Sequence, residues 1–139
     1  PQINFNIRKN GSNVEIFDVI RKKYIVLTPE EWVRQHFIHY LINELNYPKS
    51  LFRVESGLSY NKLQKRSDIL VYDREMHPLM LVECKSFKVP ITQAGFNQIA
   101  VYNAKIDARY LVLSNGLKHY CCTQGDQGFE FLKEIPPFT

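Results

Sequence analysis

Polar and apolar positions alternate with a period of two at the start of the chain, where Phe5 and Ile7 interleave with Asn4, Asn6 and Arg8. The Asn10-Gly11 pair supplies the positive φ angles of a tight turn, and Val14 to Phe17 returns as a partner strand. A hairpin is predicted. Arg21, Lys22 and Lys23 then lead into the apolar run Tyr24 to Leu27, and this basic cluster reads as a solvated edge in preference to a phosphate contact. At Thr28 the period changes. Val33, Phe37, Tyr40, Leu41 and Leu45 recur every three or four residues, which predicts an amphipathic helix ending before Pro48. Thr28 suits the N-cap, Pro29 the first helical position, and Glu31 the third, completing a capping box.

Leu51 to Glu55 reads as a strand, followed by a loop containing Gly57 and Asn61. Two more strands, Ser67 to Tyr72 and Leu79 to Lys85, flank the polar stretch Arg74 to His77 and Pro78. Thr92 caps a second helix over Gln93 to Lys105, with Phe96, Ile99, Ala100 and Val101 apolar. Arg109 to Leu113 is a strand, Asn115-Gly116 turns it towards Tyr120 to Thr123, and glycines 125 and 128 lead to Phe129 to Leu132. The predicted class is α/β. Its core of helix, three strands, helix and strand covers about residues 28–113, between an N-terminal hairpin (1–27) and a C-terminal hairpin (114–135), in one domain spanning 1–139.

Composition narrows the class. At 139 residues and 45% hydrophobic content the chain can bury one core, and it is too apolar to be intrinsically disordered. Its longest apolar runs, such as Leu79 to Val82, have four residues against the roughly 20 of a membrane span, so no membrane role is expected. No basic-then-apolar leader opens the sequence, and a cytoplasmic protein is expected. Cys84, Cys121 and Cys122 are an odd number and include an adjacent pair, which fits a reducing compartment better than a disulfide framework. With no Cys-x2-Cys spacing, His119 beside the pair is only a weak metal hint, and buried strand thiols are expected. A formal charge of +4 permits nucleic-acid binding without requiring it.

Glu83 and Lys85 carry the candidate chemistry. By strand alternation they share one face while Cys84 points away with Val82. A hairpin in which Arg74 to His77 form the loop sets Asp73 opposite Pro78, Tyr72 opposite Leu79, Val71 opposite Met80 and Asp68 opposite Glu83. Two carboxylates in that position, with Cβ atoms about 5 Å apart, repel unless a positive group lies between them. Mg²⁺, a hard ion held by one or two carboxylates plus water and phosphate oxygens, would resolve the conflict. Lys85 beside it could orient a water, contact a phosphate oxygen or take a proton. The plainer alternative is a local Glu83–Lys85 ion pair at a strand end.

Asp68 followed after fourteen residues by Glu83-Cys84-Lys85 resembles the PD-(D/E)XK nuclease superfamily. Together with Thr28 to Gln35, Lys65 to Tyr72, Leu81 to Lys85 and Gln98-x3-Tyr102, it is similar to the N-terminal nuclease domain of type I restriction enzyme R subunits over about residues 16 to 135. The resemblance implies a restriction-endonuclease-like mixed sheet flanked by helices (an αβββαβ core) and hydrolysis of DNA phosphodiester bonds with Mg²⁺ or Mn²⁺. It makes Asp68 and Glu83 metal ligands, Lys85 the catalytic lysine, and Glu31 a further metal ligand, a role that competes with helix capping. It assigns Gln98 and Tyr102 to DNA contact, and Lys62, Lys65 and Arg66 could add phosphate contacts. Ser67 stands where the signature has Pro. No Gly-x4-Gly-Lys-Ser/Thr nucleotide cradle occurs, so this chain is not expected to be the ATP-driven motor: it is a fragment cut from a larger protein, a subunit working with a separate motor and specificity or methylation subunits, or a free-standing relative. A non-catalytic DNA- or protein-binding module on the same scaffold is the alternative, and RNA or a branched junction is an alternative substrate.

Overall fold

The computed structural model describes residues 5–54, 69–125 and 128–139. The opening alternation builds a three-stranded antiparallel sheet of β1 (Ile7–Asn10), β2 (Asn13–Asp18) and β3 (Lys23–Val26), with β2 in the middle. Its first turn differs from expectation. Asn10 pairs with Asn13, so Gly11 and Ser12 are the central residues and only Gly11 takes a positive φ, the glycine-first form of the two-residue turn.

Helix α1 (Pro29–Asn43) starts as predicted, with Thr28 Oγ1 accepting the Glu31 N–H at 3.1 Å. Its buried face is rotated from the expected stripe: Val33, Phe37, Ile38 and Leu41 are buried together with Arg34 and Gln35, whereas Tyr40 is exposed. At about 100° per residue, a face centred on 34, 37, 38 and 41 leaves position 40 on its flank. There the Tyr40 ring stacks beside His119.

The central sheet has the order β4 (Phe52–Val54), β5 (Ile69–Tyr72), β6 (Pro78–Cys84), β7 (Tyr110–Ser114), β8 (His119–Gly125) and β9 (Gly128–Leu132). Every neighbouring pair is antiparallel except β6 and β7, which run parallel and are joined through α2 (Gln93–Ile106). The expected C-terminal hairpin is therefore not an appendage. Asn115 Oδ1 accepts the Leu117 and Lys118 N–H groups, closing a tight turn that lays β8 along β7 and extends the sheet to six strands.

The β5–β6 register holds for Ile69 opposite Val82, Leu70 opposite Leu81 and Val71 opposite Met80. Tyr72 then lies opposite Pro78, not Leu79. The loop is one residue tighter than predicted because Asp73 Oδ1 gathers the Glu75 and His77 N–H groups, 2.9 Å each, and Met76 takes a left-handed φ of 65°. The strand absorbs the difference as a bulge.

Alternation sends Ile69, Val71, Met80, Val82 and Cys84 to the face covered by α1, and Leu70, Leu81, Leu111 and Leu113 to the face covered by Phe96 and Ile99 of α2. Cys121 and Cys122 join opposite cores as free thiols, and burial pushes them up to about 12 and about 11. Among the described residues no helix is long and apolar enough to cross a membrane.

Candidate functional site

Strand β6 is apolar until Glu83, which lies in the Leu81 row and pairs in register with Leu113 of β7. The Glu83 side chain is buried, 3% exposed, and its Oε2 lies 3.2 Å from Lys85 Nζ. Lys85 follows the strand directly, and its N–H donates to the Ser114 carbonyl at 2.8 Å, so the parallel pairing fixes its backbone. The two predicted neighbours thus touch, with the ammonium group partly open to solvent. Asp68, their predicted partner, lies outside the described residues, as do Lys62, Lys65, Arg66 and Ser67, together with Glu55, Gly57 and Asn61 of the preceding strand end and loop.

Lys85 opens onto a cleft of about 970 Å³. One wall is Tyr24, Ile25 and Val26 of β3, another the start of α1 with Thr28, Glu30 and Glu31, and the third Cys84, Lys85 and Ser86. Glu31 and Lys85, singled out separately along the chain, therefore face one space.

Glu31 does not complete the predicted capping box with its carboxylate. The side chain turns inward, where Oε2 accepts from Arg34 Nε at 2.7 Å and from Gln35 Nε2 at 3.3 Å and is also held by Arg34 Nη2. Arg34 Nη2 reaches across to Asp18 Oδ2 at 2.8 Å, linking α1 to the end of β2. Asp18 Oδ1 accepts the Ile20 and Arg21 N–H groups, and Oδ2 also takes Arg21 Nε at 3.0 Å. Arg21 Nη2 in turn lies 3.7 Å from Glu31 Oε1. The basic cluster is accordingly not simply a solvated edge: Lys22 and Lys23 are exposed, but Arg21 folds back because two carboxylates face it.

Asp18 and Arg34, both 0% exposed, were not singled out in the sequence. The signal for Arg34 was its i,i+3 spacing from Glu31; the signal for Asp18 was a capping-type residue just before a turn. Burial opposes the Asp18 charge, but Arg34 and the hydrogen bonds from Arg21 and Ile20 outweigh it and hold the carboxyl below its ordinary 3.8. Arg34 is likewise disfavoured by burial and more than restored by Glu31 and Asp18. Because the folded value for Asp18 is the lower one, its contribution to stability is complete above the unfolded value and vanishes as pH falls through the folded one. Urea midpoints should therefore drop between about pH 5 and pH 2 more steeply for wild type than for Asp18→Asn. Parallel slopes would show that the carboxylate is not held in this way.

Gln98 and Tyr102 sit one turn apart on α2. Gln98 is exposed and Tyr102 is half-buried against the α2-side core; neither lines the cleft. His119 packs against Phe37 and Tyr40 with Nδ1 2.8 Å from Ser114 Oγ, and burial lowers its pKa, so beside the buried thiols it acts as a packing residue. Among the described residues, Asp73, Glu75 and His77 form a cluster of possible metal ligands. The turn's own N–H groups already engage Asp73 there.

The family model described as the N terminus of type I restriction enzyme R proteins matches residues 29–136, from the start of α1 past the last strand. Neither the curated proteins nor the solved structures yield a match.

Proposed function

Since the chain belongs to the family of type I restriction enzyme R protein N-terminal domains, it has a restriction-enzyme-related role, and we propose that it hydrolyses DNA phosphodiester bonds with Mg²⁺ or Mn²⁺. The observation that carries the proposal is the 3.2 Å contact between the buried Glu83 and Lys85, which lines a cleft together with Glu31, although Glu83 itself is not among the lining residues.

The donor set fits a hard divalent ion, since Glu83 offers carboxylate oxygen rather than sulfur or imidazole. Asp68, which lies outside the described residues, is the proposed second ligand. Glu31 contributes through Oε1, because Arg34 and Gln35 occupy Oε2. A cation bound there would polarise the scissile phosphate and lower the pKa of a bound water. Lys85 then orients that water, holds a phosphate oxygen or accepts a proton. Gln98, Tyr102, Lys65 and Arg66 are the proposed DNA contacts, and a motor and specificity or methylation subunits the proposed protein partners.

Supercoiled plasmid incubated with Mg²⁺ should be nicked by wild type. Asp68→Ala and Glu83→Gln, checked for folding by circular dichroism, should be slower by on the order of 10²-fold or more. Equal nicking by all three would overturn the proposal, and salt-sensitive DNA association without cleavage would identify a binding module instead.

A further inference from the structure

Glu31 poses a chemical problem. A carboxylate that is 5% exposed and clamped by an arginine is a poor ligand unless one oxygen is kept out of the clamp. The network is arranged to do that. Arg34 spends Nε and Nη2 on one oxygen, Oε2, instead of forking across both. Asp18 accounts for the difference, because its Oδ2 draws Arg34 Nη2 to 2.8 Å on the far side. The same oxygen holds Arg21 Nε at 3.0 Å, which keeps the Arg21 Nη2 group at 3.7 Å from Glu31 Oε1, an ion pair beyond hydrogen-bond distance. Asp18 cannot readily shift, since its other oxygen is fixed by two backbone N–H groups of the β2–β3 turn.

Stability alone does not account for this arrangement. Among the described residues, Arg34 Nη1 and Gln35 Oε1 are buried with no protein partner, and both belong to side chains that grip Glu31. Buried polar atoms in that condition cost free energy, and buried ion networks are often no more stable than apolar replacements. Asp18 and Arg21 also precede the span matched by the family model, Asp18 at the end of β2 and Arg21 in the β2–β3 turn of the N-terminal sheet.

We propose that Asp18 and Arg34 are positioning residues that immobilise Oε2 of Glu31 and, through the hold of Asp18 on Arg21, keep Oε1 available to a divalent cation in the cleft. This rests on the cation-dependent cleavage proposed above. The N-terminal sheet is then part of the site: its Asp18 determines which oxygen Glu31 presents. Without that carboxylate, Arg21 loses its 3.0 Å hold and moves closer to Oε1, where it competes with the cation.

The test is calorimetric titration of Mn²⁺ alone into the full chain, paired with cleavage measured against Mn²⁺ concentration. Asp18→Asn should weaken Mn²⁺ binding about tenfold, the usual scale for an outer-shell residue. The metal concentration for half-maximal cleavage should rise in step, with turnover recovering as Mn²⁺ is raised. The discriminating variant is Asp18→Asn combined with Arg21→Gln, which removes the competing cation and should restore affinity to within about threefold of wild type. A merely structural role predicts that the double variant is worse than the single one. Arg34→Lys, which keeps the charge but loses the fork, should also bind more weakly. Wild-type affinity in Asp18→Asn, a double variant weaker than the single, or no Mn²⁺ binding by folded wild type would each overturn the inference. If wild type binds Mn²⁺ but cuts no DNA, the nuclease proposal fails and calorimetry alone decides the positioning roles.

Discussion

Replacing Arg34 with Met should cost the folded protein about 3–5 kcal/mol, the usual penalty for removing one partner of a buried ion network. Met nearly matches the aliphatic length of Arg, so cavity formation is a minor part of that loss. The main term is electrostatic. Asp18 is 0% and Glu31 5% exposed, and without the guanidinium two carboxylates share a buried region in which, among the described residues, the partly exposed Arg21 is the remaining cation paired with both. One or both must then take up a proton or admit water. In urea unfolding at neutral pH the midpoint should fall sharply while the slope stays constant, and the melting temperature should drop by roughly 10 °C or more. Adding Glu31→Gln and Asp18→Asn to the same chain should recover part of the loss, because the stranded charges are then gone. A loss below about 1 kcal/mol for Arg34→Met would mean that this arginine behaves as a solvated surface residue.

That network marks the boundary of what the sequence reveals. Glu83, Lys85 and Cys84 were legible because strand alternation is local: residues two apart share a face whatever lies elsewhere in the chain. The β5–β6 register was legible for the same reason, since a short turn ties the two strands together. It slipped at Tyr72 because the Asp73 carboxylate, which bonds the turn's own N–H groups, tightened the loop by one residue. Asp18 and Arg34 are sixteen positions apart and meet only when the N-terminal sheet packs against α1. A helical arginine reads by default as a solvated residue. The role of β8 and β9 was hidden in a similar way: their strand character is local, but which edge they extend is decided by packing across the whole sheet.

Lys85→Ala should reduce Mg²⁺-dependent DNA cleavage by about 10²–10⁴-fold, the range for losing a positioned acid–base group. The residue is placed for such an effect. Its backbone is pinned to Ser114, its ammonium group lies 3.2 Å from Glu83, and its side chain is 28% exposed towards the cleft. Arginine at the same position separates the three roles open to it. A guanidinium cannot give up its proton, so Lys85→Arg stays as inactive as alanine if Lys85 accepts the proton from water. It regains part of the rate if Lys85 holds a phosphate oxygen, because the fork is a good phosphate donor. If the ammonium group only orients the nucleophile, the longer and planar head misplaces the water, and the apparent KM for DNA stays near wild type while kcat falls. A second readout does not depend on cleavage. Removing Lys85 takes away the ammonium group 3.2 Å from the buried Glu83, so apo Lys85→Ala should melt below wild type, and Mn²⁺ should raise its melting temperature more than that of wild type. Cleavage by Lys85→Ala at the wild-type rate would mean that the ion pair is structural and that the chemistry of this domain lies elsewhere.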